Sequence, residues 1–347
     1  MLLTILLLLS FWSKAEARKN STLTAVSGIK VGIYSEPGQH RGVTVIRFEG
    51  PGAVAAVDVR GGGPGTRETD ALKPENLIER VHGIVLAGGS AWGLNSASGV
   101  MKCLEEAGVG YDTGEGILVP IVPTAVIYDL RLGNSSVRPS HDWGYRACKS
   151  ASKHPVLSGN HGAGAGATVG KFFGMGAAMK SGQGSSLISV PGKGKVAALV
   201  IVNALGDIKN PETGHIIAGA RNTTDGSFID TEKTMLSLDM SPKISGTNTI
   251  IAVIATDIPM DKSGLQKLAQ MAQDGIGRTT FPAHTMFDGD TVFAVSTATN
   301  APPEKNPVTM TIIGTAAAKA LAQAILNGVV NARPVPGYPA AGKPPGL

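Results

Sequence analysis

Cysteine is nearly absent: Cys103 and Cys148 are the only two in 347 residues, and neither stands in a Cys-x-x-Cys pair or a Cys/His spacing. That excludes a zinc ribbon and a disulfide framework, and both are expected to be ordinary buried thiols. None of the 7 histidines falls in H-E-x-x-H or a comparable spacing, so no metal site is expected. Charge is sparse at 16%, with 31 basic residues scattered against 26 acidic ones. No Lys/Arg run is long enough to track a phosphate backbone, which argues against nucleic acid as a partner. The apolar run at residues 2–12 is too short to span a bilayer. Followed by Ala15-Glu16-Ala17, it reads as a secretory signal peptide over residues 1–17, although it lacks a leading positive charge. The mature chain is then expected to start near Arg18 and to be secreted or periplasmic, with no membrane anchor once the leader is gone. Without a functional leader it would be cytoplasmic.

What is present in quantity is glycine, 46 residues, within a chain that is 42% hydrophobic. This composition describes a packed globular protein rich in tight turns. Short β-rich apolar runs predict strands at 43–48, 53–59, 83–87, 197–203, 250–256 and 291–296. Longer stretches predict helices over 90–107, 263–277 (with Ser263 as cap) and 308–331. Strands and helices do not alternate strictly, which favours sheets packed between helical layers over a doubly wound parallel sheet. Residues 332–347, rich in proline, are expected to be an extended, mobile tail.

The glycine-rich segment 159–176, "GNHGAGAGATVGKFFGMG", lacks the G-x-x-x-x-G-K-[ST] phosphate loop, because Phe172 follows Gly170-Lys171. It reads instead as backbone that must approach something closely. "GGSAWG" at 88–93 misses the G-x-S-x-G spacing of a serine hydrolase, and Ser90 reads as a helix cap after a strand.

Two places remain that could do chemistry. In "ISGTNTIIAVIATDIP" (244–259), Thr249 stands at the mouth of a core strand. If the bond after Asn248 were cut, Thr249 would carry a hydroxyl nucleophile and its own α-amine, with a pKa of about 8, as base. The hydroxyl could make that cut itself, by attacking the preceding carbonyl to give an ester that water hydrolyses. Alone, most Asn-Thr pairs are turns or strand starts. In "HTMFDGDTVFAV" (284–295), Asp288 and Asp290 alternate around a glycine, so both carboxylates can face one site with separated pKa values. That trio also reads as a plain turn.

Taken together, "VHGIVLAGGSAWGLNSASGV", "GAGAGATVGKFFG", "VNALGD", "TNTIIAVIATD" and "HTMFDGDTVFA" resemble the self-cleaving DmpA-type family of L-aminopeptidase/D-esterases, β-peptidyl aminopeptidases and nylon-oligomer hydrolases. The likeness runs from about residue 25 to about 332. It implies an α+β, four-layer αββα sandwich in one domain, cut into an α chain (18–248) and a β chain (249–347) that stay associated. Thr249 falls at the nucleophile position and Asn248-Thr249 at the autocleavage site, with Thr247 after Gly246 as the rival. By the same matching, Asn203 would hold the nucleophile or stabilise an oxyanion. Lys171 would favour the deprotonated hydroxyl, Asp288 and Asp290 would orient it, and Tyr128 would line the substrate cleft. The Asp-x-Asp form and the Asn-Thr junction resemble the nylon-oligomer branch rather than the Ser-x-Glu aminopeptidase branch. The resemblance implies a cofactor-free hydrolase of small peptides or ω-amino-acid amides, assembled as homo-oligomers of αβ units. A β-peptidyl aminopeptidase, an acyltransferase like the ornithine acetyltransferases, and a non-catalytic sandwich protein are the other readings.

Overall fold

The computed structural model describes residues 20–237, 248–304 and 306–342. The nine principal strands are β1 (Ile29–Ser35), β2 (Gly42–Phe48), β3 (Ala53–Val59), β4 (Gly83–Ala87), β5 (Thr124–Val126), β6 (Gln183–Val190), β7 (Gly194–Asn203), β8 (Thr249–Thr256) and β9 (Thr291–Ser296). The helices are α1 (Ser96–Glu105), α2 (His141–Lys149), α3 (Thr231–Ser237), α4 (Lys262–Gly277) and α5 (Pro307–Val330). One sheet runs β1-β2-β4-β5 with Thr66–Arg67 at its edge, the other β6-β7-β8-β9-β3 with Arg80–Val81 at its edge. Neighbours are antiparallel except β4 with β5 and β8 with β9. The parallel β8–β9 pair needs a crossover, and α4 supplies it.

Side-chain alternation shows why the sheets stack as they do. Ile250, Ala252 and Ile254 of β8 join the core beneath α4 and α5, while Ile251, Val253 and Ala255 face the other sheet. β7 divides in the same way: its even-numbered residues Val196–Val202 meet the helices and Ala197, Leu199 and Ile201 meet the sheet. Across the sandwich, Ile46, Phe48, Ile84 and Leu86 complete the central core, and Val43, Val45, Val85 and Ala87 turn outward to α1 and α2. The layers are therefore helices, sheet, sheet, helices. A strand buried on both faces reads as a continuous apolar run, which is how β8 reads.

Several local expectations are corrected. Asp261, not Ser263, caps α4, its carboxylate accepting from Gly264 N at 2.7 Å while Ser263 Oγ donates to that same carboxylate. Ser90 caps no α-helix: it opens a 3₁₀ segment, Ser90–Asn95, with a left-handed φ of 55°, and α1 begins only at Ser96. Cys103 and Cys148 are not free thiols but a disulfide joining α1 to α2. The cause is glycine at the helix crossing. A Cβ on Gly99 would lie 1.8 Å from the His141 carbonyl oxygen and one on Gly144 would lie 1.9 Å from that of Ser96, so the backbones touch. The described part of the tail is docked as far as Ala341: Pro339 O accepts from Lys180 N at 2.8 Å, and Val335 and Tyr338 close a turn on each other, while residues 343–347 lie outside the described residues. Proline lacks a donor but keeps its carbonyl, and the sheet edge uses it. The predicted leader lies outside the described residues.

Candidate active site

Thr249 is the first residue of β8 and is 5% exposed. On one side it pairs in register with Asn203, the last residue of β7. On the other side the segment 284–290 closes in, Asn248 forming a parallel bridge with Asp288. The Thr249 hydroxyl lies against the carbonyl oxygen of Asn248, in the bond that joins the two residues. That oxygen also accepts from Gly289 N at 2.9 Å. Gly289 has to be glycine: a Cβ there would stand 2.9 Å from Thr249 Oγ1 and 2.8 Å from Gly63 O. The strip Arg60–Gly63 backs the segment, with Gly63 N donating to Asp288 O at 2.8 Å and Arg60 N to Asp290 O at 3.0 Å. Asn248 itself donates weakly to Phe287 O (3.4 Å), and its side-chain oxygen is buried without a partner among the described residues. Gly246 and Thr247, the other junction the sequence allows, lie outside the described residues.

The two carboxylates are both buried but differently held. Asp290 Oδ1 accepts from Ile250 N at 2.7 Å, which ties it to the strand one residue beyond the threonine. Its Oδ2 takes the backbone N–H of His284 (3.2 Å) and meets His284 Nδ1 at 2.8 Å. Asp288 Oδ2 accepts from Thr285 N (2.9 Å) and Thr285 Oγ1 (2.6 Å). Burial first, and the charge of Asp290 second, push the Asp288 carboxyl up to about 6, with the Thr285 hydrogen bonds and Lys171 pulling the other way. A pair of acids with unequal environments can hold one proton between them near neutral pH.

Lys171 and Asn203 form a single unit. Lys171 Nζ donates to the Asn203 backbone oxygen at 2.8 Å and to its Oδ1 at 2.9 Å, and Thr168 N donates to the same Oδ1 at 3.2 Å. With its oxygen so engaged, the Asn203 amide must present nitrogen elsewhere, and Nδ2 donates to Tyr128 O at 3.1 Å. Burial pushes Lys171 down to about 7, against the fields of Asp288 and Asp129 and with that of Arg131. The ammonium therefore loses its proton in the same range in which Asp288 loses its own. Tyr128 is joined to the site through its backbone. The residue borders a narrow cleft with Arg131, Thr168, Lys171 and Met175, and the Arg131 guanidinium lies 6.0 Å from its ring centroid.

Asn203, Asp288 and Asp290 thus meet around the Asn248–Thr249 bond, and Lys171 and Tyr128 are joined to it through Asn203. Sequence reasoning missed His284, Thr285, Gly289 and the Arg60–Gly63 strip, most of which act through backbone atoms that leave no side-chain signature. It also missed the buried Arg41, whose Nη1 donates to the carbonyls of Asp129 and Leu132 at 2.8 Å and fixes the loop after Tyr128. The segment 159–176 behaves as read, its glycines allowing backbone contact: a Cβ on Gly164 would lie 2.2 Å from Gln183 N. A larger cavity, about 590 Å³, opens at the N-terminal ends of α4 and α5 among Met260, Pro302, Pro303 and Met310, and contains none of these groups.

The model of peptidase family S58 matches residues 21–341. The chain is 41% identical over 343 residues to an uncharacterized aminopeptidase of Mycobacterium tuberculosis (strain ATCC 25618 / H37Rv), covering 92% of this chain and 96% of that protein. It is 31% identical over 274 residues to a 6-aminohexanoate-oligomer endohydrolase of Kocuria sp. (strain KY2), covering 78% and 73%. In fold it is similar to an L-aminopeptidase D-Ala-esterase/amidase from Ochrobactrum anthropi, described as a variant of the Ntn hydrolase fold, with a TM-score of 0.66, 20% identity and coverage of 93% and 91%. A Burkholderia sp. β-aminopeptidase superposes with a TM-score of 0.65 at 22% identity, covering 90% and 87%. The four-layer architecture, the match over nearly the whole described chain and the relatives together show that this protein belongs to peptidase family S58, hydrolases of peptide and other linear amide bonds.

Proposed function

We propose that the protein is a self-processing amidohydrolase whose nucleophile is Thr249. The observation that carries this reading is the contact between the Thr249 hydroxyl and the Asn248 carbonyl, whose oxygen already accepts from Gly289 N. In the maturation step the hydroxyl oxygen adds to the Asn248 carbonyl carbon and the C–N bond breaks. The product is an ester on Thr249 Oγ1 and a free α-amine, the hydroxyl proton having passed to that nitrogen. Water then hydrolyses the ester, leaving a carboxylate on Asn248 and an N-terminal threonine. Developing charge on the carbonyl oxygen is met by a donor already in place, which is where electrostatic preorganisation acts most strongly.

In turnover the same hydroxyl attacks a substrate amide. The α-amine, with a pKa of about 8 when unperturbed, accepts the proton and delivers it to the leaving amine. The acyl-enzyme ester is then hydrolysed. Asn203, in register with Thr249, and Lys171, bound to Asn203, hold the nucleophile and stabilise charge, and Asp290 pins the strand through Ile250 N. Asp288 beside Asp290 offers an anionic environment to the new amine. The substrate class is small peptides and ω-amino-acid amides, as the name of the Kocuria relative suggests. The α chain 18–248 and β chain 249–347 would remain one domain and assemble as homo-oligomers of αβ units, after export by the leader.

Intact mass spectrometry and N-terminal sequencing test maturation, and a second chain beginning Thr-Ile-Ile is expected. Assays on 6-aminohexanoate oligomers and on β-alanyl p-nitroanilide test the branch. Preference for the anilide would move the protein to the β-aminopeptidase branch. Folded protein that remains unsplit and hydrolyses neither would overturn the reading.

A further inference from the structure

His284 takes a left-handed backbone, with φ at 56°, although it is not glycine. Few residues with a Cβ adopt that conformation, histidine and asparagine among them, and such positions cluster where function imposes a constraint. Here the backbone N–H and the ring of one residue reach the same oxygen: Asp290 Oδ2 accepts from His284 N at 3.2 Å and meets His284 Nδ1 at 2.8 Å. A carboxylate only accepts, so Nδ1 carries the hydrogen. The other oxygen, Oδ1, accepts from Ile250 N at 2.7 Å, the nitrogen of the Thr249–Ile250 peptide. Asp288, the second acid, is held separately by Thr285. His284 is therefore coupled to the strand head through Asp290, whose side chain is 2% exposed.

In the unsplit chain Thr249 is tethered covalently on both sides. Splitting removes the tether to Asn248. What then fixes the residue is its register with Asn203 and the grip of Asp290 on Ile250 N. A carboxylate held at one oxygen is free to swing, and a charge-assisted donor on its other oxygen stops it. We propose that His284 is a positioning residue for turnover: its Nδ1–H locks Asp290 onto Ile250 N and so keeps the freed Thr249 hydroxyl aimed at the substrate carbonyl. The inference rests on the amidohydrolase reading above and adds to it a residue that acts through another. Misplacing a nucleophile by about 1 Å can cost a hundredfold in rate. Self-cleavage depends on His284 less, because there the hydroxyl and the carbonyl it attacks are neighbours in one chain.

The test compares His284→Gly and His284→Asn with wild type. Glycine accepts the left-handed backbone and removes the ring donor. Asparagine tolerates the same backbone and places an amide N–H where Nδ1 stands. Both variants are expected to split as wild type does on denaturing gels. On whichever of 6-aminohexanoate dimer and β-alanyl p-nitroanilide the wild type hydrolyses, His284→Gly should lower kcat about tenfold or more with KM unchanged, the worth of a hydrogen bond to a charged group. His284→Asn should restore most of it. Should His284→Gly not fold, His284→Gln, whose amide stands one carbon too far out, takes its place. A glycine variant with wild-type kcat, an asparagine variant no better than glycine, a loss confined to KM, or a variant that fails to split overturns the proposal. If wild type splits but hydrolyses neither compound, the substrate reading is what fails. The rate of acylation of Thr249 by p-nitrophenyl acetate, followed by mass, then decides the role of His284: the same order of variants supports it and equal rates remove it.

Discussion

The backbone N–H of Gly289 points at the carbonyl oxygen of Asn248 from 2.9 Å, on the same oxygen that the Thr249 hydroxyl approaches. A donor and a nucleophile converge on one peptide group, and the glycine is what makes room for both. Replacing Gly289 with alanine puts a methyl 2.9 Å from the hydroxyl and 2.8 Å from Gly63 O, so one of them must move. Gly289→Ala is expected to slow self-cleavage about a hundredfold or more, the usual effect of disturbing one oxyanion donor. Thr249→Ala should abolish cleavage and Thr249→Ser should keep it. Denaturing gels read the result as loss or persistence of a 99-residue fragment (347 − 248). Normal splitting of Gly289→Ala would show that the donor is dispensable.

Asp288 supports a prediction about stability and pH. Its carboxyl is raised from 3.8 to about 6, chiefly by burial. Between those values the folded protein holds a proton that the unfolded chain has lost, so this group's contribution is fully present below about 4 and disappears as pH rises through 6. Asp288→Asn removes the titration. In a Thr249→Ala background, which keeps the chain continuous, the variant should gain on the order of 2–3 kcal/mol relative to its parent on going from pH 3.5 to pH 7.5. Urea unfolding at the two pH values measures it. A stability difference that does not change with pH would show that burial does not raise this carboxyl.

What could be read from sequence, and what could not, follows from where the stabilising partners lie. β8 was legible because every one of its residues is buried and the run Ile250 to Ala255 is wholly apolar, so the strand carries its own signal. β6, "QGSSLISV", is buried over its first half but was missed, because its small polar residues are satisfied far away in the chain. Ser185 Oγ donates to Ala198 O and Ser186 Oγ to Ala320 O, both at 2.6 Å. α2 was missed for a similar reason: Gly144 lowers its helix propensity, yet that glycine is what admits the backbone of α1. In the site, Asp288, Asp290 and Thr249 were legible as candidate side chains beside a strand. The contribution of Gly289 was not, because an amide N–H is the same in every residue.

The helix pair supplies a third prediction. The Cys103–Cys148 disulfide closes a loop of sequence separation 45 and ties α1 to α2 on the outer face of the sheet that does not carry Thr249. Cross-linking a loop of that size removes unfolded-state entropy worth roughly 2–4 kcal/mol. Cys103→Ser/Cys148→Ser should unfold at correspondingly lower denaturant, as should reduced wild type. The extent of cleavage at Asn248-Thr249 should not change, since the bridge lies beyond the far sheet. A double variant as stable as the oxidised protein would mean that glycine-mediated packing alone holds these helices.

Behind the site, Arg41 and Asp129 are both fully buried side chains, with Nε and Oδ1 3.5 Å apart. Arg41 also holds the carbonyls of Asp129 and Leu132, so it anchors the loop that presents Tyr128 and Arg131. Removing one member of such a pair leaves an uncompensated buried charge, at a cost of about 3–5 kcal/mol. Arg41→Met is expected to destabilise the Thr249→Ala protein by that amount at pH 8. Its effect should shrink toward pH 5. Burial already raises the Asp129 carboxyl and Arg41 is the largest influence opposing it, so without Arg41 a proton can neutralise the acid as pH falls. Arg41→Met/Asp129→Asn, which deletes both charges, should be more stable than the single variant at pH 8 and nearly independent of pH. Unfolding curves for the three proteins at both pH values make the comparison. If the single and double variants coincide at pH 8, the cost comes from the lost carbonyl contacts and not from the orphaned carboxylate.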